Sequence, residues 1–481
     1  MRRYDLIVIG SGPAGHHAAI QGAKLGQSVA IIERRDTLGG VALNAGTIPS
    51  KTLREAVLYL TGFRQRGLYG DSYRVKEKIT LPDLRFRVDR VIAHEINVFR
   101  SHFLRNGVDV LTGEASFLKP DTFQVSGHGE SYEAQAERII IAVGTRPARP
   151  DHIPFDGEKI FDTDQMWDLK QIQLPKTLII VGGGVIGIEY ACAMAALGVQ
   201  VTVVEKRPGI LDFVDREIVD ALCYHMRSLR AVIRLGEDVT GVVKDENARV
   251  VARLASNKTI VADALLYAAG RVGNTDRLNL AAAGLTADDR GRLPVDGQYR
   301  TAVQHIYAAG DVIGFPSLAS TSMEQGRLAA CAAFGRDCVS MSHLFPYGIY
   351  TIPEISYVGK NEEQLTRDLI PYEVGVAQYR EIARGQIIGD ETGFLKLLFH
   401  QKTKRLLGVH IIGEGATELI HVGQMVLAHE GTIDTFVNSV FNYPTLAECY
   451  KVAALTGINK LSALPKGWDE PAGPRGSDNP A

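Results

Sequence analysis

Cysteine is scarce in this chain. Its 481 residues hold five, Cys192, Cys223, Cys331, Cys338 and Cys449, an odd number with no two placed as a CxxC pair. That spacing speaks against a disulfide framework or a zinc site; buried or free thiols are expected, although Cys331 and Cys338 could meet in space. A surplus of one charge is missing too. Lys plus Arg is 53 and Asp plus Glu is 55, a net charge of −2, which offers no basic field for nucleic acid or an anionic membrane. No apolar stretch approaches the roughly 20 residues that span a bilayer. The opening MRRYDLIVIGSG has an apolar run too short for a secretory signal. The expectation is a cytoplasmic protein with no metal, nucleic-acid or membrane partner.

What is present is ordinary globular composition, 45% apolar and 22% charged, in a chain too long for one core. Two to four domains are expected. Residues 4–10, YDLIVIG, form a β-branched run suited to a buried parallel strand. The run leads into Gly10-Ser11-Gly12-Pro13-Ala14-Gly15, then a helical pattern, then a second strand, SVAIIE, ending at Glu33. Gly10 permits the tight turn, Gly12 lets backbone N–H groups reach a pyrophosphate at the helix N-terminus, and Gly15 lets helix and strand pack closely. Glu33 would accept hydrogen bonds from ribose hydroxyls. The device recurs in TLIIVGGGVIG, with Gly182, Gly184 and Gly187, and the strand VTVVE ending at Glu205. Each acid lies 23 positions after its first glycine.

Three later runs end in small residues, IIIAVGTRP (139–147), LLYAAGRVGNT (265–275) and HIYAAGDVIG (305–314). The third places Asp311 after Gly310, where its carboxylate can bind a ribityl hydroxyl or a pyrophosphate. Two such sites imply two dinucleotides. The pattern resembles the flavoproteins with two dinucleotide-binding domains, and the resemblance covers about residues 4–460. It implies an α/β fold: two Rossmann-like domains, for FAD and NAD(P), plus a C-terminal α+β dimerisation domain. The FAD domain would be split over 1–150 and 276–345, with the NAD(P) domain at 151–275 and an interface domain at 346–465 that makes a homodimer. The Pro-, Gly- and charge-rich end, 466–481, reads as a disordered tail.

Within that group the chain resembles the pyridine nucleotide–disulfide reductases, such as dihydrolipoamide dehydrogenase, whose motif GGxCLNxGCxPSK carries the redox disulfide. Here the stretch is GGVALNAGTIPSK, residues 39–51, with Ala42 and Thr47 at the cysteine positions. Alanine cannot be oxidised and a threonine hydroxyl does no two-electron redox chemistry, so disulfide exchange is excluded at this site. The family's C-terminal His-Glu pair, in His-Ala-His-Pro-Thr-x-x-Glu, is also altered. The chain reads Phe441-Asn442-Tyr443-Pro444-Thr445-Leu446-Ala447-Glu448. Tyr443 is a poor base near neutral pH, since a phenol titrates near 10; it is expected to pack at a subunit contact, and Glu448 to hydrogen-bond locally.

The flavin and nucleotide machinery is spared. In the resembled family the equivalents of Lys51 and Glu189 pair beside the flavin N5 and the nicotinamide, where an ammonium stabilises the reduced ring. The resemblance places Gly10, Gly12, Gly15, Glu33, Arg34, Gly39, Gly40, Thr47, Lys51, Gly144, Gly310 and Asp311 at FAD. It places Gly182, Gly184, Gly187, Glu189, Glu205, Lys206, Arg207 and Gly270 at NAD(P). GTIPSK, FNYPT, DVIGFPSLAS and GIYTIPEISYVG together look like the soluble, energy-independent pyridine nucleotide transhydrogenases, although these often keep the first cysteine. The implied activity is ping-pong hydride transfer from NADPH to NAD+. Glu205 suits NAD and repels a 2′-phosphate, by about 4 kcal/mol for unit charges some 4 Å apart at an effective dielectric near 20. Arg207 and Lys206 offset this if Glu205 swings to solvent; otherwise the site is for NAD alone. A diaphorase or oxidase feeding oxygen or a quinone, and a catalytically dead binding protein, remain the alternatives.

Overall fold

The computed structural model describes residues 2–462 apart from Asp71, His128 and residues 168–173 and 338–343. The proposed tail at 466–481 lies outside the described residues. Arg2–Ile9 is a strand whose Leu6, Ile7 and Val8 are wholly buried, as a central parallel strand covered on both faces must be. It pairs in parallel with Val29–Glu33 on one side and Glu130–Ile141 on the other. Asp109–Thr112 adds beyond Val29–Glu33, and Ile306–Ala308 pairs with Ile139–Ile141. An antiparallel pair, Glu114–Lys119 and Thr122–Gly127, extends the sheet through Glu130–Ile141.

The second sheet repeats this plan. Thr177–Val181 lies between Gln200–Glu205 and Ala264–Tyr267, with Val232–Leu235 and Ile160–Asp162 at the edges, all in parallel. In both sheets a first strand, a second and a third run outward in one direction, while a late strand and one more lie on the other side. Because the strands are parallel, the ends of the three small-residue runs gather at the same edges as the two glycine loops, where open α/β sheets take their ligands.

Helix Pro13–Lys24 follows the first loop, with Pro13 at its first position and Gly12 extended before it. It packs against helix Ala319–Ala333 so closely that a Cβ on Gly326 would lie 2.0 Å from the Ala14 carbonyl oxygen. A five-stranded antiparallel sheet forms the C-terminal region, in the order Tyr347–Ile349, Ile355–Gly359, Leu406–Ile412, Phe394–His400, Tyr372–Gln378. Lys396 on this sheet is wholly buried and pairs with Asp215, Glu217 and Glu362. Asp215 also accepts from the Glu217 N–H at the start of helix Arg216–Ser228, so a single ammonium ties that helix to the C-terminal sheet. These three carboxylates are the one His/Cys/Asp/Glu group of metal-binding geometry among the described residues, and Lys396 already supplies their cation.

Cys192, Cys223 and Cys449 are free and buried, as expected. Cys331 departs from the expectation of free thiols: it is disulfide-bonded. The scattered spacing that argued against a framework does not forbid a single bridge. No helix is long and apolar enough to cross a membrane among the described residues.

His16, in the first turn of helix Pro13–Lys24, is buried against Phe99 with ring centroids 4.0 Å apart. Burial, with His17 and His102 nearby, pushes its pKa down to about 3. It is therefore neutral in the fold but gains a proton below about pH 6.5 once the chain unfolds. The unfolded state binds more protons between about pH 6.5 and about 3, so stability falls as pH falls through that window. Denaturant unfolding of His16→Leu across this range is expected to show a flatter acid limb, by up to about 1.4 kcal/mol per pH unit. An unchanged slope would mean that other groups carry it.

Candidate functional site

The two glycine loops have the same local geometry. Gly10 and Gly182 have φ of 100° and 114°, the left-handed region where a side chain is strained. A Cβ on Gly15 would lie 1.8 Å from the Gly10 carbonyl oxygen, and one on Gly187 2.1 Å from that of Gly182. Any larger residue there would force helix from strand. At Gly12 and Gly184 the reverse holds, because a Cβ would meet no protein atom within 4 Å. These middle glycines face open space, and the helix starts behind them present free N–H groups to it.

That space is a single cavity of about 1530 Å³, reaching from Gly10 and Glu33 to Gly184, Glu189 and Gly270. Its volume exceeds the 300–1,000 Å³ typical of small-ligand pockets. Glu33 accepts from the Ser11 N–H and hydroxyl and from the Arg35 N–H, which fixes its carboxylate at the strand end. Ser11 in turn accepts from the Gly39 N–H, and a Cβ on Gly40 would come within 2.9 Å of Gly12. The opening of GGVALNAGTIPSK is thus tied to the first glycine loop. Arg34 is exposed and lines the cavity, as do Ala42, Thr47, Gly144 and Gly310. Ala42 lies in the short helix Gly40–Asn44, and Thr47 begins helix Thr47–Leu60.

Asp311 also lines the cavity. Its carboxylate has only long contacts, 3.5 Å each, from the Thr145 and Ser322 hydroxyls. Burial pushes its carboxyl up, partly offset by Arg271 and those hydroxyls. An under-satisfied, half-buried carboxylate is suited to accept from a ligand hydroxyl. The open space at Gly12 and Gly144, the fixed Glu33 and the free capacity of Asp311 fit a flavin dinucleotide in the first half of the cavity.

Lys51 and Glu189, 138 positions apart, meet at the junction. Lys51 Nζ donates to both Glu189 oxygens, at 2.8 and 2.7 Å. The Tyr350 N–H donates to the same carboxylate at 2.8 Å, and the Tyr350 ring lies 5.0 Å from the ammonium. Glu189 is buried and Lys51 keeps 24% of its side chain exposed, toward the cavity. Sequence reasoning missed Tyr350, because a backbone donor has no side-chain signature. It also missed Arg271, which follows Gly270 and donates to the Thr145 hydroxyl and carbonyl and to Asp164.

Glu205 is turned inward: Gly183 N–H, Arg207 N–H and two side-chain nitrogens of Arg207 all donate to it. Burial raises its carboxyl, but these donors outweigh burial and hold it below the usual range. Lys206 pairs with Asp238 on the surface. The replacements near the C-terminus stand apart. Tyr443 is 73% exposed. One Glu448 oxygen is buried without a hydrogen-bond partner, contrary to the expected local bond.

The family described as pyridine nucleotide-disulphide oxidoreductase matches residues 4–326, and its dimerisation domain matches 345–454. A protein named soluble pyridine nucleotide transhydrogenase from Mycobacterium bovis is 55% identical over 466 residues, covering 96% of this chain and 99% of that one. One of the same name from Yersinia pestis is 46% identical over 463 residues, covering 95% and 98%. Among solved structures, LpdA from Mycobacterium tuberculosis aligns with a TM-score of 0.86 at 27% identity, over 95% of this chain and 99% of that one. A flavoprotein disulfide reductase of Escherichia coli, RclA, aligns with a TM-score of 0.84 at 28% identity, over 94% and 99%. With both regions matched and close relatives along nearly its whole length, the chain belongs to the pyridine nucleotide-disulphide oxidoreductase family and, within it, to the group of the soluble pyridine nucleotide transhydrogenases.

Proposed function

We propose that the chain binds FAD and transfers hydride between NADPH and NAD+ at one nucleotide site, without a redox disulfide. The observation that carries this reading is the Lys51–Glu189 pair, kept intact beside Ala42 and Thr47 where thiols would stand. A bound FAD would supply the ring that carries hydride between the two nucleotides in turn. The protein's part is to place and polarise. Backbone N–H groups behind Gly12 and Gly184 would hold the two pyrophosphates, Glu33 would take ribose hydroxyls, and Asp311 would accept from a ribityl hydroxyl. The Lys51 ammonium, fixed by Glu189, offers positive charge where negative charge develops. The exchange NADPH + NAD+ → NADP+ + NADH is balanced in hydride and needs no proton, so neither a thiol nor a base at Tyr443 is required.

In this reading residues 1–150 with 276–345 hold FAD, 151–275 hold the nucleotide, and 346–465 pair two chains in a cytoplasmic homodimer. The likeness of the Mycobacterium bovis and Yersinia pestis proteins supports the activity, as the names of both say.

Anaerobic holoprotein mixed with NADPH is expected to lose its flavin absorbance and regain it when thio-NAD+ is added, with thio-NADH formed in equal amount. Bleaching by NADH alone would sink the transhydrogenase reading. Reduction by both without recovery on thio-NAD+ would point to a diaphorase or oxidase. Lys51→Met is expected to slow flavin reduction by about 100-fold, the effect of losing one preorganised charge-stabilising group, while flavin content stays normal. A rate within twofold of the parent would remove Lys51 from the mechanism.

A further inference from the structure

Arg207 donates to three oxygens of two acidic neighbours, using each of its three side-chain nitrogens once. Its Nε and one terminal nitrogen fork onto Glu205 at 3.0 and 3.2 Å, and its other terminal nitrogen donates to Asp212 at 2.7 Å. Glu205 is buried and held by four N–H groups, so it is a fixed part of the site, whereas Asp212 is 52% exposed. We propose that Asp212 sets the balance between the two nucleotides, because it occupies on Arg207 the N–H that the 2′-phosphate of NADP(H) would take. This rests on the reading that one site serves both nucleotides, and it replaces a movement of Glu205 with the displacement of Asp212.

Three features make the competition specific to this residue. Arg207 stays forked on Glu205 and thereby neutralises the acid that would repel a phosphate. The one guanidinium nitrogen not forked on Glu205 is the one that donates to Asp212, and a phosphate dianion is a stronger acceptor for it than a carboxylate. Asp212 also cannot drift away with its backbone. The N–H of the preceding Leu211, itself wholly buried at φ 46°, donates to the Gly183 carbonyl of the glycine loop. The following Phe213 packs on Tyr347 and Tyr357 at 5.8 and 6.3 Å between ring centroids, and Asp215 is tied to the buried Lys396. The segment is pinned at both ends, so Asp212 stays within reach of that guanidinium nitrogen and competes for it. NAD(H), with only ribose hydroxyls there, does not contend for that N–H.

The test uses full-length holoprotein with NADPH and NADH as separate reductants, reading the concentration that half-saturates flavin reduction. Asp212→Asn keeps size and removes charge; it is expected to lower the NADPH value about fivefold to tenfold and to leave the NADH value within twofold. Arg207→Ala raises the NADPH value. In Arg207→Ala/Asp212→Asn the gain from Asp212→Asn disappears, since Asp212 acts through Arg207. If Asp212→Asn changes neither nucleotide, or if its gain persists without Arg207, the proposal is overturned. If the parent protein is not reduced by NADPH at all, the shared-site reading itself falls, and the proposal with it; that result is read before any variant is made.

Discussion

The carboxylate of Glu189 is the point on which the molecule converges. It sits on the helix of the second glycine loop, takes both its charge partner from GGVALNAGTIPSK and a backbone N–H from Tyr350, just past the first strand of the C-terminal sheet, and is buried where they meet. A buried ion pair of this kind is a poor source of net stability, because desolvating both charges costs nearly what their attraction returns. Its value is positional. Removing either partner leaves an uncompensated charge, so the geometry of three chain regions is held to one arrangement at the junction of the cavity's two halves. The glycine loops define where dinucleotides can lie; Lys51 and Glu189 define how the two halves face each other.

Much of this was legible in the residues. The doubled loops, the equal spacing to Glu33 and Glu205 and the three small-residue strand ends mark the parallel sheets, because β-branched runs and glycine turns report backbone constraints directly. Lys51 and Glu189 were readable only through the resemblance, since nothing local relates residues 138 positions apart. The rest was hidden for physical reasons. The Tyr350 N–H and the Gly183 N–H are backbone donors that any sequence could supply. The fate of Glu205 depends on a side chain two residues away choosing to fork back onto it, a rotamer choice that strand and loop patterns do not encode. Lys396 illustrates the same gap: a lysine in FLKLLFH reads as the solvent face of a strand, yet it is wholly buried because three carboxylates from other elements close over it.

That buried lysine extends the influence of the C-terminal sheet into the nucleotide site. Lys396 stands opposite His410 in the sheet, His410 opposite Tyr357, and Tyr357 opposite Tyr347. The rings of Tyr347 and Tyr357 are stacked at 5.1 Å, and those of Tyr357 and His410 at 5.8 Å. One cross-strand row therefore carries at one end the ammonium that anchors Asp215 and at the other a tyrosine that lines the cavity. A region that reads as a pairing domain is also the bed on which the segment after Arg207 rests.

The scarcity of accessible sulfur has a consequence for the conditions under which such a protein can work. Cys192, Cys223 and Cys449 are buried, and burial pushes each thiol up, the first and last to about 12, so almost none is present as the reactive thiolate at neutral pH. The positions where a relative would expose a redox pair carry Ala42 and Thr47. Peroxide, hypochlorite, arsenicals and alkylating electrophiles find no sulfur nucleophile in this stretch of the cavity wall. The chemistry of this cavity wall therefore does not depend on keeping a cysteine of that stretch reduced.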